Sequence, residues 1–208
     1  MPDLHSGGRG FKSRPVHQPL IKGGLTISYP SEWEKEITLK NGQKVFLRPE
    51  LSYDTEMLWR MFSTLSKESL DNLVKPFTRE RIEAWTSNID YERNLPILAL
   101  IMEGTEWRII GSATLSFNAL QHSRHKAELG ITVHDDYQNL GVGTELIKHL
   151  LHIAHKSGLK KVHLIVNTSN KRAIHVYEKF GFRIEGKLEK EHALEGRLED
   201  DFRMAIFL

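Results

Sequence analysis

The chain has 208 residues, enough for one domain with a sizeable core and too few to make two the expectation. Its 29 Lys and Arg against 27 Asp and Glu leave a formal net charge of +2, which argues against the concentrated basic face that wholesale nucleic-acid binding needs. There is no cysteine, so disulfides, Cys-ligated zinc and a Cys nucleophile are excluded, and no apolar run approaches the ~20 residues that cross a bilayer.

The first 24 residues, rich in Gly, Pro, His and basic groups, show neither helical nor strand periodicity. The run Gly7-Gly8-Arg9-Gly10-Phe11-Lys12-Ser13-Arg14-Pro15 is also what one frame of a transfer-RNA gene's T-arm would encode, so a start codon assigned too far upstream is one expectation and a basic arm that meets a partner is the other. Residues 1–35 are expected to be a disordered or poorly ordered extension and 36–208 the folded domain. Strands are expected at 37–39 and 45–48, flanking the hairpin pair Asn41-Gly42, with Pro49 ending the second. Met57, Leu58, Met61, Phe62 and Leu65 form a helical stripe over 54–65. Ser66 precedes a short acidic segment through Leu73, and another helix follows at 79–88. Trp59, Phe62, Phe77 and Trp85 in this region read as packing or as a lid. Strands are expected at 95–102, 107–117 and 127–133, then a helix at 143–156 and a strand at 162–166. A helix at 170–179 and strands at 182–186 and 202–207 close the chain, with the turn at 193–197. Hairpins early and strand-helix alternation late define an α/β (mixed α+β) architecture.

The sharpest motif lies between the strand ending at Val133 and the next helix: Gln138-Asn139-Leu140-Gly141-Val142-Gly143-Thr144. The first N–H groups of a helix lack intrahelical partners and the helix dipole is positive there, so an anion satisfies both. Small residues at 141 and 143 leave that approach open. The run lacks the Lys-Ser/Thr of a P-loop and the third glycine of a dinucleotide fingerprint. In the later helix, Asn170, Ala173, Ile174 and Tyr177 share one face. Asn170 reads as an N-cap and Tyr177 as a buried tyrosine with a satisfied hydroxyl, or the two together as part of a site. Glu128 is a carboxylate in an otherwise apolar strand, facing away from Leu129, Ile131 and Val133; a salt bridge and a catalytic base are the two readings. His149, His152 and His155 read as a solvated helix face, and Lys160 with Lys161 as solvated surface. His122 and His125 sit in a loop just before Glu128. No metal ligand set is expected.

Gln-X-X-Gly-X-Gly at this position resembles the acetyl-CoA signature of the GNAT N-acetyltransferase superfamily. The likeness extends to Ala127-Glu128-Leu129-Gly130-Ile131 and to Asn170-X-X-Ala173-X-X-X-Tyr177-Glu178-Lys179-X-Gly181-Phe182, and it covers about residue 37 to the C-terminus. It implies a GNAT fold, a central mixed twisted sheet of about six to seven strands flanked by helices. It also implies acetyl-CoA as co-substrate, bordered by Ile131, Thr132, Val133, the cradle from Gln138 to Thr144, Asn170, Ala173 and Tyr177. Two strands are expected to splay beside Ile131–Val133, where a backbone N–H would hold the oxyanion. The N-terminal half, Leu39-Lys40-Asn41-Gly42 through Leu47-Arg48-Pro49 and then Leu65-Ser66-Lys67-Glu68-Ser69, resembles Pat-type protein lysine acetyltransferases, whose Glu in the same Ala-Glu context is the general base; Glu128 matches it. Leu70-Asp71-Asn72-Leu73 departs from that group's Arg-rich segment, and Phe182 through Asp200 is similar to enzymes acting on amino acids and small amines. The expected reaction is direct acetyl transfer to a primary amine, on a protein or a small molecule, with Glu128 as base and Tyr177 as acid. The contrasting reading is an acyl-CoA-binding regulatory module without turnover. A cytoplasmic location is expected, without nucleic-acid or membrane partners; homodimerisation is left open.

Overall fold

The computed structural model describes residues 20–22, 25–73 and 77–208. Among the described residues, strands β1 (Leu20–Lys22) and β2 (Leu25–Ile27) pair only with each other. The main sheet begins with β3 (Lys35–Thr38) and β4 (Lys44–Pro49), continues through β5 (Asn94–Glu103), β6 (Glu106–Phe117), β7 (Lys126–Val133) and β8 (Lys161–Asn167), and ends with β9 (Arg183–Leu194) and β10 (Arg197–Phe207). Its order is β3-β4-β5-β6-β7-β8-β10-β9, antiparallel throughout except for β7 with β8. Five helices join these strands among the described residues: α1 (Thr55–Ser63), α2 (Lys67–Asp71), α3 (Arg79–Ser87), α4 (Val142–Lys156) and α5 (Lys171–Lys179). The mixed α/β architecture is as expected. The sheet has eight strands rather than six or seven, because the four-residue β3 and both C-terminal strands all join it.

Both faces of the sheet's centre are covered. Leu95, Ile97, Ala99 and Ile101 of β5 pack toward α4, whose Val142, Leu146, Ile147, Leu150, Ile153 and Ala154 make the buried stripe. Leu98 and Leu100 face the opposite way, against Leu58, Met61 and Phe62 of α1 and Ile82 of α3. In β6 a register shift inserts one residue: Ala99 pairs with Gly111 but Leu100 with Ile109. Side-chain phase changes there, so Ile109 joins the α1–α3 layer whereas Ile110, Ala113 and Leu115 join the α4 layer. A Cβ built at Gly111 would lie 3.1 Å from Leu146 and 3.2 Å from Val142, so α4 starts in close contact with the sheet.

At the C-terminus the hairpin is far longer than expected, with Glu195-Gly196 as its turn and both strands running through 187–201. That stretch carries charges instead of apolar alternation. Its strands are tied by Lys187 to Asp200 at 2.6 Å, by His192 to Asp201 at 3.3 Å and by the Lys190 N–H to Asp200 at 2.8 Å.

The expected boundary at residue 36 lies beside the start of the main sheet, but the segment just before it is packed. Trp33 contacts the core, and its carbonyl accepts from His149 Nε2 at 2.8 Å. This corrects the reading of His149 as solvated: it is 5% exposed, and burial holds its imidazole below its ordinary pKa. His152 and His155 are exposed. The expectations for residues 1–19 and 23–24 fall outside the described residues.

Candidate active site

The site begins with a gap in the sheet. β7 and β8 pair only at Lys126–Lys161, Ala127–Val162 and Glu128–His163. Beyond that point β7 stays with β6 through Val133, while β8 stays with β10 through Asn167. The His134 N–H donates to the Ile110 carbonyl, continuing the β6–β7 register. Antiparallel alternation therefore turns the even-numbered N–H groups of β7 toward β6 and those of Ile131 and Val133 into the gap.

Beyond the gap stands the N-terminus of α4. Its N-cap, Gly141, has φ +99°, a left-handed conformation that a side chain would strain. The first intrahelical bond runs from Glu145 N–H to the Gly141 carbonyl, so the N–H groups of Val142, Gly143 and Thr144 are left without intrahelical acceptors. Thr132 and Gly143 line the cavity described below, whereas the Val142 side chain is buried in the core and Leu140 packs against it. Asn139 is exposed at φ 63°. Of the cradle, then, Asn139, Leu140, Gly141, Val142 and Thr144 have backbone to offer, and Gln138 and Gly143 reach the cavity wall.

Gln138 is a brace. Its Nε2 donates to the Val133 carbonyl at 3.1 Å and to Ser69 Oγ at 3.2 Å, and its Oε1 accepts from Arg172 of α5 at 2.7 Å. Asp135 braces the same loop to α2, accepting from Ser66 N–H and Oγ, both at 2.7 Å, and from Ser69 Oγ at 2.6 Å. Burial opposes its charge, but these hydrogen bonds outweigh that and hold the carboxyl below its ordinary pKa. Asn170 is the N-cap of α5, its Oδ1 accepting from Ala173 N–H at 3.0 Å while its Nδ2 donates to Asn72, the C-cap of α2, at 3.0 Å. Sequence reasoning passed over Ser66, Ser69, Asp135 and Arg172; only the acidic residue so near a helix start hinted at such a network.

Glu128, Ile131, Thr132, Val133, Asn170, Ala173 and Tyr177 all line one cavity of about 890 Å³. The cavity is lined from both faces of the sheet, by Gly143, Ala173 and Tyr177 on the α4–α5 side and by Ser112, Thr114 and Glu128 on the other. Only a gap between strands permits that. Tyr177 is 8% exposed, its ring 5.8 Å from that of Phe182, and among the described residues its hydroxyl has no hydrogen-bond partner. Burial pushes it up to about 12, so it keeps its proton. Glu128 is exposed to the cavity, and among the described residues its carboxylate has no ion pair. Its neighbour His163 is held below its ordinary pKa by burial, against the pull of Glu128, and therefore does not neutralise it. Phe62, Phe77 and Trp85 form a stacked and edge-on cluster against the cavity. His122 and His125 are not among its lining residues, and Lys161 is paired with Glu185 at 2.6 Å. No group of three or more His, Asp or Glu among the described residues is arranged to hold a metal ion.

A sheet opened beside a helix N-terminus, with a cavity through the gap, presents N–H groups and positive dipole charge suited to an anion. The chain belongs to the acetyltransferase (GNAT) family, whose sequence profile matches residues 57–182. It is 35% identical over 89 residues to a spermidine N(1)-acetyltransferase of Escherichia coli (strain K12), covering 42% of this chain and 48% of that one. The match therefore spans about half of that relative's length. An L-amino acid N-acetyltransferase of the same organism is 30% identical over 98 residues, 47% of this chain and 60% of the other. In structure the chain resembles the GNAT domain of S. lividans PAT, with a TM-score of 0.70 and 22% identity over 87% of this chain and 100% of that domain.

Proposed function

We propose that the protein is an acetyl-CoA-dependent N-acetyltransferase that acts on a primary amine by direct attack within a ternary complex. The observation that carries this reading is the single cavity through the strand gap, with Glu128 on one side and Tyr177 on the other. The residues suit the co-substrate: free N–H groups at the start of α4 for its phosphates, and the gap beside Ile131 and Val133 for its extended arm. Acetyl-CoA supplies an acyl group on a thiol leaving group. The rest falls to the protein.

An acceptor with the reference amine pKa of about 10.4 is protonated at pH 7, and freeing its lone pair costs about 4.6 kcal/mol. Glu128, solvated and unpaired, takes that proton directly or through water. The Ile131 and Val133 N–H groups face the gap, where negative charge develops on the acyl oxygen. Tyr177, kept protonated by burial, holds a proton for the departing sulfur. Both relatives named above are N-acetyltransferases of small amines by name, which supports a small-molecule acceptor.

The test is release of free CoA thiol from acetyl-CoA with a panel of peptides, amino acids and polyamines. Tight CoA binding without release for any acceptor would overturn the reading in favour of an acyl-CoA sensor.

A further inference from the structure

Glu50 follows β4 directly, and its N–H donates to the Pro96 carbonyl at 3.0 Å, extending the β4–β5 register by one residue. Its side chain is 4% exposed and lines the cavity, yet among the described residues its carboxyl has neither a hydrogen bond nor an ion pair. Arg48, the nearby cation, is committed elsewhere: Nη1 and Nη2 each lie 2.6 Å from a carboxylate oxygen of Asp54. That pair occupies both terminal nitrogens of Arg48, leaves its buried Nε without a partner among the described residues, and gives Glu50 no hydrogen bond. A buried carboxyl with no partner costs free energy in either protonation state, and a cation arriving through the cavity relieves it. Burial first, and then the Asp54 charge, push Glu50 up to about 8 against the opposing pull of Arg48.

The sheet supplies a ruler. Glu50, Pro96, Thr114 and Gly130 stand in one row across β4 to β7. Three strand spacings place the Glu50 and Gly130 backbones about 14 Å apart. Glu128 lies two residues along β7 from Gly130, on the same face. Between the two carboxyls the cavity floor carries the hydroxyls of Thr114 and Ser116 and the amide of Asn94. Glu50 is thus too far from Glu128 to share its proton-transfer role and is placed to bind a second group on the same acceptor.

We propose that Glu50 holds a second cationic nitrogen of the acceptor, which makes the substrate a linear aliphatic polyamine with its reacting amine at Glu128. Side-chain reach from both ends shortens the span between the two nitrogens to on the order of 10 Å. This rests on the acetyltransferase reading above. A monoamine, or a peptide lysine with its single side-chain ammonium, leaves Glu50 unmatched.

Wild-type protein and Glu50→Gln are compared with n-butylamine, putrescine, spermidine, spermine and an N-terminally blocked lysine peptide. Wild type should favour spermidine or spermine over n-butylamine by at least tenfold in kcat/KM. Glu50→Gln should reduce that ratio at least tenfold, through the KM for the polyamine, with the KM for acetyl-CoA unchanged; Glu50→Asp should restore part of it. Equal use of monoamine and polyamine by the wild type, or a preference for the peptide, overturns the proposal even if Glu50→Gln does not fold. An unchanged ratio in a folded variant overturns it as well. Calorimetry of spermidine binding to the CoA complex reads Glu50 without turnover: equal affinities in wild type and variant reject the cation site, whereas a protein that acetylates nothing rejects the enzyme reading alone.

Discussion

Glu128 and Tyr177 line the same cavity from opposite sides of the sheet. Tyr177 is buried and holds its proton up to about pH 12, so its hydroxyl is a donor throughout the working range. Replacing it with Phe keeps the ring packing against Phe182 and deletes only the donor. Turnover should fall by about 10²-fold while CoA affinity, read by calorimetry, changes little; a comparable loss of affinity would make Tyr177 a packing residue. Glu128→Gln should lower turnover and move the rate profile to higher pH, where the acceptor loses its proton unaided. Asp135 bears on stability. Its pKa is depressed in the folded state, so its contribution is present above the ordinary value of 3.8 and is lost as pH falls through the lower folded value. Asp135→Asn should therefore cost about 1–2 kcal/mol at pH 7, and the gap to wild type should close in acid unfolding below pH 3.8. Glu128, Gln138 and Tyr177 were legible in the sequence because each sits in a short motif. Asp135 and Glu50 were not, since their significance comes from partners, or the lack of them, many residues away.

At the scale of elements, the join between β4 and α1 is the one most exposed to a single change. Asp54 precedes α1, where a capping role would be ordinary, yet its carboxylate is bound by Arg48 and by the Leu51 N–H at 2.7 Å. Both charged side chains are at most 1% exposed. Asp54→Ala strands a buried guanidinium, so unfolding free energy should drop by about 3–5 kcal/mol. In thermal denaturation that is about 6–20 °C for a chain of this size; a drop of under 3 °C would mean that Arg48 finds another partner. Helix α2 is short and weakly apolar, and its place comes from Asp135 and Asn170, not from its own five residues. The helices α1, α4 and α5 could be read from their apolar stripes. The C-terminal hairpin could be read only at its turn and its two far ends; its middle could not, because an exposed edge pair held by Lys187–Asp200 and His192–Asp201 leaves no period of two for an apolar count to find.

The molecule as a whole turns on the parting of β7 from β8. Strand order cannot be read from local periodicity, and the splay entered the sequence analysis through resemblance alone. In the structure each strand keeps its outer partner: beyond Glu128, β8 continues with β10 and β7 continues with β6, while their facing edges part and leave the N–H groups of Ile131 and Val133 turned into the gap. The sheet is left with a slot through its middle, and the cavity reaches both faces. On the reading proposed above, such a slot would let donor and acceptor approach from opposite sides and meet between Glu128 and Tyr177, with no need for the protein to carry the acyl group. The chain also has no cysteine to carry it. Initial rates measured against both substrates should thus give intersecting double-reciprocal lines, and radiolabelled acetyl-CoA without amine should leave no label on the denatured protein. Parallel lines together with a labelled side chain would require a covalent step and would move the chemistry off Glu128. A ligand that bridges the two halves should also tie β7 to β8, so CoA should stabilise the fold by about 2.7 kcal/mol at a hundred times its Kd and raise the melting temperature in a concentration-dependent way. If amide exchange in Ile131 and Val133 slows with that rise while β9 is unaffected, the slot is where the ligand acts.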